Sequence, residues 1–576
     1  MKRMRFLMML LAVTVFSCKN SEPAPQEVEV KEPLVSSSYG CAPKTVDSEW
    51  YEGDNKAPII DGLDVLHYPI STIDPEVQKY FDQGLVLSYG FNHAEAARSF
   101  YYAAKLDPDC AMCYWGFALV LGPNYNAGME PDNYERAYEA VQKAVELSGK
   151  ATEKEQALIN ALTSRYVAEP VEDRRDLDVA YSTAMKAVYE KYPDDPDIAA
   201  LYAESVMDLY PWNLYDKDGE PREWTPGVIT LLEKLMKENP DHPGAHHFYI
   251  HATEASNAPE RALASAKKFD DGLVPGAGHL MHMPAHTYIQ TGDYHKGSLA
   301  NLRAVEVDSA YVTLCHAQGI YPLAYYPHNY HFLAATATLE GNSTWAFMGA
   351  EELAERIHPD VMKEPGWGTL QHYYMIPYFV DVKFGKWDKI LARKLSDSLL
   401  YPKAISHYAR GMAYLGKKDL PKAKKELKKL EVLAKDEQLK EMKLWEINTM
   451  HSIVEIAEKV LRGEILASEG KFDESITQLR EAVVLEDALN FQEPPDWFFS
   501  VRHNLGAVQI EAGKYDDAVK TYEEDLEIYP KNGWAQHGLK LAYQKMDNQS
   551  KMKEMEALLK DSWATADVVI ESSRTK

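Results

Sequence analysis

The chain has 576 residues, 45% of them hydrophobic, which is enough for several domains or for one extended repeat array. Its 88 Asp and Glu residues outnumber its 62 Lys and Arg residues and give a formal net charge of -26. A chain this acidic repels a phosphate backbone, and its composition argues against nucleic acid as a partner. Its five cysteines are too few to staple a protein of this length.

The first predicted element is an export signal over residues 1–17. Its basic start, MKRMR, precedes an apolar stretch too short to stay as a transmembrane helix. The closing letters VFSC resemble a bacterial lipobox, which implies cleavage before Cys18 and a lipid attached there. No later stretch has about 18 consecutive apolar residues. We therefore expect a lipid-anchored protein of the bacterial cell envelope, facing either the periplasm or the outer-membrane surface.

Composition divides the rest of the chain into four parts. Residues 18–60 are rich in Pro, Glu, Ser and Val without a period, which is typical of a flexible tether. Helical periodicity then predicts an N-terminal repeat array over residues 61–400 and a C-terminal array over residues 401–560. Residues 561–576 are predicted to form a tail.

The repeats carry a recurring pattern of small and aromatic residues. The stretch YFDQGLVLSYGFNHAEAARSFYYAAKLDP contains Gly84, Ala96, Phe100 and Pro108, and EAGKYDDAVKTYEEDLEIYP and TGDYHKGSLANLRAVEVD follow the same scheme. Over about residues 70–560 the chain resembles a tetratricopeptide repeat (TPR) protein. This resemblance implies an all-α fold, a right-handed superhelical solenoid of roughly eight to ten helix pairs with loop insertions.

A CxxC motif lies in the stretch DPDCAMCYWG, at Cys110 and Cys113. Outside the cytoplasm such a pair could be a redox couple or two soft metal ligands. The simpler interpretation, which we favour, is two small buried residues at the start of a helix.

The segment Ala118–Tyr134 is longer than the short turn that its two helices need, and two further segments, Asn213–Gly227 and Tyr311–Asn329, break the helical period. Insertions in a solenoid form loops, frequently on its binding face. The first segment contains Asn124, which is either an amide contact at the end of a pocket or part of a tolerated insertion. Trp212, just before the second segment, is either the floor of a pocket or a plug in the core, and the core is the default.

Histidines concentrate in the middle of the array. The stretch GHLMHMPAHTYIQTGDY contains His279, His282 and His286, and alignment on its TGDY turn places them at repeat positions 2, 5 and 9. In the repeats that the chain resembles, these positions line the concave groove. One repeat earlier, HPGAHHFYIHATEAS places His247 and His251 at positions 5 and 9. We therefore expect neighbouring helices to present imidazoles to one stretch of groove.

Adjacent repeats extend this set, and eight of the 19 histidines fall at such positions. Pro284 affects whether the three histidines share one helical face. Proline is tolerated mainly in a first helical turn, and a helix that begins near Met283 would leave His279 and His282 in the preceding loop. The further predicted groove residues are His328, His331, His372, Met375, Glu204, Met207, Asp208 and Glu254.

Three interpretations of this pocket stay open. In the first, the His i, i+4 pairs His247/His251 and His282/His286 bind one divalent ion of Zn, Cu or Fe. His279, His328 and His331 are then further candidate ligands, while Glu254, Glu204 and Asp208 are candidate general bases or supports for the ligands. In the second, histidines and carboxylates form a metal-free active site. In the third, they are polar groove residues without chemistry.

The first interpretation predicts an envelope protein that binds a transition metal and uses it for metal-assisted hydrolysis or redox chemistry. The chain resembles a His-rich branch of exported bacterial TPR proteins, and that resemblance implies fold and groove but no substrate. One alternative is a non-catalytic scaffold that grips a peptide or an envelope protein. A second alternative is a lipoprotein that captures a glycan nutrient. The remaining predicted pocket residues are His372, Met375, Met207, Trp212 and Asn124.

Overall fold

A computed structural model describes residues 49–394 and 399–575. The predicted export signal, the lipidation site Cys18 and residues 18–48 of the predicted tether lie outside the described residues. Within the described residues, no helix is both long and apolar enough to cross a bilayer.

The described residues are almost entirely helical. The helices of the first half are α1 (Glu49–Glu52), α2 (Pro75–Tyr89), α3 (His93–Leu106), α4 (Ala111–Leu121), α5 (Asn133–Leu147), α6 (Glu153–Leu162), α7 (Arg175–Lys191), α8 (Pro196–Met207), α9 (Thr225–Glu238), α10 (Pro243–Thr253), α11 (Leu263–Asp270), α12 (Gly278–His282), α13 (Pro284–Thr291) and α14 (Tyr294–Cys315). Short 3-10 helices span Ser148–Lys150, Thr163–Arg165, Pro259–Ala262 and Val361–Lys363, and a π-helical turn spans Tyr321–Tyr325.

The second half continues in the same way. Its helices are α15 (Tyr326–Leu339), α16 (Ser343–Glu355), α17 (Thr369–Lys383), α18 (Trp387–Ala392), α19 (Leu400–Gly416), α20 (Leu420–Leu433), α21 (Gln438–Glu441), α22 (Met450–Ser468), α23 (Phe472–Asp487), α24 (Arg502–Glu511), α25 (Tyr515–Ile528), α26 (Gly533–Lys545) and α27 (Gln549–Ser562). Two short antiparallel strands, β1 (Lys443–Leu444) and β2 (Asn448–Thr449), lie between α21 and α22.

Consecutive helices pack as hairpins that stack on their neighbours. Helix α2 packs on α3, α15 on α16, α22 on α23 and α26 on α27, and the hairpins are joined by contacts such as α3 on α4 and α25 on α26. Each hairpin therefore buries its apolar face against the next one along the chain. This arrangement confirms the predicted all-α helical-repeat fold.

The glycines of the repeat pattern make room for aromatic rings. The ring of Phe100 lies between Gly84 of α2 and Gly116 of α4, and a Cβ atom at Gly84 would approach that ring to 2.8 Å. The ring of Tyr522 occupies the same place between two glycines of the C-terminal repeats. The small and aromatic positions thus pack one hairpin onto the next, which is why the pattern is legible in the sequence.

Residues 49–60 belong to the folded body. Ala57 is fully buried, its carbonyl accepts a hydrogen bond from the Tyr80 hydroxyl at 2.9 Å, and Gln83 accepts one from the Ile60 amide at 2.8 Å. The predicted tether boundary at residue 60 is therefore too late, because Pro and Glu content concealed a segment that pairs with α2.

The two cysteines of the CxxC motif are buried at the start of α4, as expected. Cys110 is the N-cap residue of α4, and its sulfur is bonded to that of Cys113 in a disulfide. Both sulfurs are thereby occupied, and neither is a thiolate ligand for a metal in this state.

One predicted loop insertion is a loop and another is mostly helix. The segment Asn213–Gly227 forms a turn closed by a bridge between Tyr215 and Pro221 before α9 begins. The segment Tyr311–Asn329 differs from its prediction, because α14 extends to Cys315 and the π-helical turn leads directly into α15. Tyr311, Val312 and Cys315 are buried, and this continuous apolar face keeps the chain helical up to Cys315.

The C-terminal repeats pack against the N-terminal ones and close the interior. The Tyr294 hydroxyl donates to the Pro530 carbonyl at 2.8 Å, and the Trp534 indole donates to the Thr338 carbonyl at 2.9 Å. Residues 488–501, between α23 and α24, bring Glu493 to His286 on α13. The predicted open concave groove is consequently a buried interior at this point.

The predicted tail also packs into the fold. Ser573 is fully buried and accepts from the Lys383 ammonium, through its carbonyl, at 3.0 Å. Arg574 forms ion pairs with Glu464 and with Glu511, the latter at 2.8 Å. The end of the described chain therefore occupies the inner face of the C-terminal repeats.

Candidate metal centre

Four helices contribute histidines to the buried interior. Helix α10 provides His247 and His251, α12 provides His279 and His282, α13 provides His286, and α15 provides His328. All are at most 1% exposed except His328, which is partly buried. These histidines are therefore buried in the interior, whereas the repeat register predicts that they line an open groove.

Pro284 separates α12 from α13 without separating their imidazoles. It occupies the first turn of α13, where its missing N–H is tolerated, and the five-residue α12 precedes it. His282 on α12 and His286 on α13 have ring centroids 4.8 Å apart. The histidines before the proline thus have a short helix of their own that faces the same cluster.

The six imidazoles form two triads of possible metal ligands. His247, His251 and His279 each offer a ligand atom, and these three atoms lie within 4.8 Å of one another. The atoms of a second set meet the same limit: His282, His286 and His328. We call these sets the first and second triads.

The four histidines predicted to share one ion are divided between the two triads. His247 and His251 belong to the first, whereas His282 and His286 belong to the second. The reason is local. The i, i+4 spacing keeps His247 and His251 together on α10, and the junction of α12 and α13 keeps His282 beside His286. Helices α12 and α15 add the third member of each triad. The triads remain neighbours, since the ring centroids of His251 and His286 are 5.3 Å apart.

Among the described residues, five of the six imidazoles have a partner at Nδ1, whereas both ring nitrogens of His279 lack one. The Nδ1 of His247 lies 2.5 Å from the Tyr89 carbonyl oxygen, and the Nδ1 of His282 lies 2.7 Å from Asn301 Oδ1. An acceptor at this position fixes the Nδ1–H tautomer and leaves Nε2 as a lone-pair donor. Within the triads, the buried Nε2 atoms without a hydrogen-bond partner among the described residues are those of His247, His251, His279, His282 and His286; outside them, those of His331, His372 and His537 are also without one.

Two buried carboxylates hold the Nδ1 atoms of His251 and His286. Glu254 places Oε1 3.0 Å from Nδ1 of His251 and Oε2 2.9 Å from Nδ1 of His286. Glu493 places Oε2 2.5 Å from the same His286 nitrogen and accepts a further hydrogen bond from Gln290. Glu254 therefore links the two triads, while Glu493 reaches the second triad from a distant part of the chain.

Burial and mutual proximity keep most of these imidazoles neutral. Burial, followed by the neighbouring imidazoles, lowers the pKa of His247, His279 and His328 well below the usual range. His251 and His282 also have a lowered pKa, chiefly from burial. A neutral imidazole is the form that binds a metal ion, so the interior selects the ligating state.

His286 is the exception in its protonation. Burial opposes its charged form, but the carboxylates of Glu254 and Glu493 outweigh burial and raise its pKa to about 9. Burial also raises the pKa of Glu493, whereas the two imidazoles it contacts lower the pKa of Glu254. The three groups share protons as one unit, in which the added charge of an ion would displace the imidazolium proton.

Aromatic rings surround the first triad. The rings of Phe91 and Trp212 have centroids 5.9 Å from that of His251, and the ring of Tyr125 lies 5.3 Å from it. Tyr125 belongs to the loop of segment Ala118–Tyr134. Its neighbour Asn124 is buried and accepts from the Tyr325 hydroxyl at 3.5 Å. Trp212 and this loop thus border the cluster.

Glu204 and Asp208 lie apart from the triads. Asp208 pairs with the buried Arg165 at 3.0 Å. Burial raises the pKa of Asp208 to about 7 and that of Glu204 well above its usual range. Neither carboxylate is in a set of possible ligands within the described residues. The structure therefore places them in a separate polar cluster around Arg165.

The other predicted groove residues also lie outside the triads. His331 and His372 have ring centroids 5.8 Å apart, and His372 Nδ1 lies 2.7 Å from the Tyr401 hydroxyl. Met207 and Met375 are fully buried in the core. These residues occupy equivalent repeat positions but face the interior further along the solenoid.

Three residues that support the triads were not predicted from the sequence: Tyr89, Asn301 and Glu493. Tyr89 acts through its backbone carbonyl, which leaves no mark in the sequence. Glu493 lies in FQEPPDW, and the only signal there is a non-repeat stretch between two helices. Its position is set by the packing of the C-terminal repeats, which the repeat register does not specify.

No protein-family model matches the chain, and no curated protein matches it. The human IFIT1 dimer with m7Gppp-AAAA is 13% identical over 85% of this chain and 90% of that one, with a TM-score of 0.31. The crystal structure of yeast Tom70 is 13% identical over 84% and 98%, with a TM-score of 0.31. The APC/C hetero-tetramer Cut9-Hcn1 is 12% identical over 88% and 77%, with a TM-score of 0.29. Similarities of this size do not transfer a function.

Proposed function

We propose that the chain is a transition-metal protein whose centre is formed by the two histidine triads. The observation that carries this proposal is the convergence of buried Nε2 atoms without partners within the two triads. Four of these five imidazoles have an acceptor at Nδ1, and His279 has none. Buried polar atoms in proteins are normally satisfied, and unsatisfied ones that converge call for a ligand. Imidazole donors suit Zn, Cu or Fe.

The surrounding residues fit such an ion. Metal-bound histidines donate their other N–H to a carboxylate, an amide or a backbone carbonyl, and Glu254, Asn301 and the Tyr89 carbonyl provide all three. Three protein donors leave coordination positions free for water or substrate, as in catalytic sites. The bound ion would supply Lewis-acid or redox chemistry there. Glu254 and Glu493 would hold the Nδ1 protons and keep the imidazoles oriented.

The N-terminal sequence supports a location for this activity. An export signal over residues 1–17 and a lipobox-like VFSC argue for a lipid at Cys18 and for the bacterial envelope. We propose accordingly that the chain belongs to the His-rich branch of exported helical-repeat lipoproteins. Labelling of cells with a radioactive fatty acid tests the anchor: wild-type protein would be labelled and the variant Cys18→Ala would not.

Elemental analysis of protein purified without a His tag tests the metal proposal. Wild-type protein reconstituted with Zn, Cu or Fe is expected to retain metal after desalting, and the variant His247→Ala/His282→Ala is expected to lose most of it. The matched control is His407→Ala, since His407 is a buried imidazole on Glu426 at 2.6 Å, outside both triads. Metal-free wild-type protein, or equal metal in wild type and double variant, would contradict the proposal.

A second candidate function is peptide binding by the C-terminal repeats. The observation that favours it is the chain's own segment at Ser573 and Arg574, which lies on the inner face of these helices. Arg574 lies between Glu464 and Glu511, and an arginine of a partner would be held by the same two carboxylates. The variant Arg574→Ala would vacate this place, and a synthetic peptide ESSRTK should then bind to it more tightly than to wild type. Equal binding to both proteins would remove this candidate.

A further inference from the structure

The centre has more donors than one ion can use. We propose that each triad binds its own ion and that the two ions together hold one small inorganic anion between them. This inference rests on the proposed metal function and specifies its ion count and ligand class.

The distances favour two ions over one. Imidazole nitrogens bind these metals at about 2.0–2.1 Å, so the donors of one ion lie within about 4.2 Å of each other. Within the described chain, the sets of donors within 4.8 Å of one another contain three residues each. A single ion in the first triad would leave the buried Nε2 atoms of His282 and His286 without a partner. Two ions satisfy both sets.

The third set of close donors, Glu254, His286 and Glu493, is better explained as a hydrogen-bonded support. It uses Nδ1 of His286, which lies 2.5 Å from Glu493 and 2.9 Å from Glu254. These are hydrogen-bond lengths, and they leave Nε2 of the same ring for the second triad.

The two triads are close enough to act together. Ring centroids across the boundary are 5.3 Å apart for His251 and His286 and 5.7 Å for His279 and His282. Within the triads the corresponding distances run from 4.8 Å to 6.3 Å. Glu254 contacts one histidine of each triad through its two oxygens. Ions in such neighbouring triads would share a ligand, as in two-metal sites with ions about 3.5–4 Å apart.

The charges around the centre favour an anion as that ligand. All six direct donors are imidazoles, which bind a metal ion in their neutral form, so they leave the charge of two divalent ions uncompensated. Glu254 and Glu493 face the Nδ1 atoms and supply the only carboxylates in the sets of close donors that the structure describes. A buried excess of positive charge is costly and is relieved by an anion placed between the ions.

The walls of the centre limit the anion to a few heavy atoms. Phe91 and Trp212 stand against His251 with φ of 53° and 56°, a left-handed backbone conformation that bulky residues rarely adopt. Phe332 closes the second triad at 4.7 Å from His282. With these rings packed on the imidazoles, the space between the triads suits an anion of a few atoms, such as azide, and excludes a peptide or sugar.

Copper(II) titration of metal-free full-length protein tests the ion count. We expect two bound ions per chain, with an electron paramagnetic resonance (EPR) signal well below two spins because neighbouring ions couple. One ion per chain would overturn the two-ion inference, and two ions with two full spins would overturn the anion shared between them. Either result leaves the metal function intact. No bound copper, zinc or iron would overturn the metal function itself.

Single variants of each triad complete the test. His279→Ala and His328→Ala should each bind one copper with one full spin, and the control His407→Ala should keep two coupled ions. His328 is only partly buried, so its truncation leaves a readout if His279→Ala fails to fold. Retention of two ions by His328→Ala would contradict the assignment. The wild-type protein should bind one azide for every two copper ions. Two azides for every two copper ions would contradict a shared anion.

Discussion

Most imidazoles of the triads have a partner at Nδ1 and none at Nε2, and the carboxylate of Glu254 shows what the Nδ1 contact does. Its oxygens contact Nδ1 of His251 and of His286, one histidine from each triad. A carboxylate in this position fixes the tautomer and raises the basicity of Nε2. Glu254 is therefore a positioning residue for both triads.

Substitution of this carboxylate should weaken metal binding without abolishing it. We expect Glu254→Gln to lower metal affinity by about 10-fold to 100-fold, because the amide keeps the shape but loses the charge that supports two imidazoles. Competition with a chelator of known affinity measures the change. Glu426→Gln, which alters the equivalent His407 pair outside the triads, serves as the control. Unchanged affinity in Glu254→Gln would show that the carboxylate does not orient ligands.

Lys383 is a second buried ionisable residue, far along the chain from the triads. Its Nζ lies 2.9 Å from His503 Nδ1 and 4.0 Å from the ring centre of Trp534. Burial lowers its pKa to about 7, against the opposing influence of Asp525. The unfolded chain therefore holds a proton on this amine between about pH 7 and pH 10.5 that the folded chain lacks.

Stability should consequently rise with pH in this window. Because the unfolded state binds more protons, the Lys383 contribution to the free energy of unfolding should increase by about 2 kcal/mol from pH 7 to pH 9. Denaturant unfolding of wild type and Lys383→Met at both pH values isolates this contribution. The free energy of unfolding of the wild type should increase relative to that of Lys383→Met as the pH rises. A gap independent of pH would show that the buried amine keeps its ordinary pKa.

Part of the candidate site could be predicted from the sequence and part could not. The pairs His247/His251 and His282/His286 follow from helical spacing and repeat register, which local sequence determines. Their division into two triads depends on the start of α13 at Pro284 and on the approach of α15. Neither feature follows from a pattern within one repeat, so the sequence predicted one set of four histidines where the structure has two triads.

At the scale of helices, the repeat is held together by rings packed against glycines. Gly116 lies in the middle of α4, and a Cβ atom there would approach the Phe100 ring to 2.4 Å. Real Cβ contacts do not reach this distance, and Phe100 is fully buried between two helices. The ring can move only by separating the hairpins.

Gly116→Ala should therefore destabilise the fold, although alanine is the better helix former. We expect a loss of about 1–3 kcal/mol in the free energy of unfolding, typical of overpacking in a core. Gly149→Ala is the matched control, because nothing lies within 4 Å of a Cβ atom at Gly149. Denaturant unfolding compares the two. A Gly116→Ala protein as stable as the control would mean that Phe100 does not hold α3 against α4.

Elements were predictable where a period governs them. The hairpins followed from small and aromatic positions, whereas Tyr311–Asn329 was predicted as a loop from its Gly and Pro content. In the structure Gly319 takes a positive φ of 75° within a short turn, and Pro322 lies in the first turn of the π-helical segment. Tertiary burial of Tyr321 and Tyr325 outweighs the turn signals on either side.

At the scale of the whole molecule, the centre joins parts that are far apart in sequence. Glu493, from the segment between α23 and α24, lies more than 200 residues from His286, to which it is hydrogen-bonded. The Tyr294 and Trp534 hydrogen bonds hold the same two regions together at another point. Long-range closure of this kind has no periodic signature, which is why the sequence predicted an open groove with separate C-terminal repeats.

This closure couples metal binding to the packing of the C-terminal repeats. An ion on Nε2 of His286 would displace its extra proton and strengthen the Nδ1–H bond to Glu493, which anchors residues 488–501. We expect metal to slow amide hydrogen exchange in residues 488–501 of the wild-type protein. In Glu493→Gln the protection of this segment should respond less to metal, while α10 and α13 should respond as before.

Hydrogen exchange followed by mass spectrometry, with and without metal, distinguishes this coupling from general stabilisation. General stabilisation would protect residues 488–501 equally in wild type and in Glu493→Gln, because ligand binding to the native state raises every global opening energy alike. Coupling through Glu493 predicts a difference confined to this segment. Glu426→Gln should behave as wild type, since its partner His407 lies outside both triads. Equal metal-dependent protection in all three proteins would place the link between the two halves elsewhere, at contacts such as that of Tyr294 with Pro530.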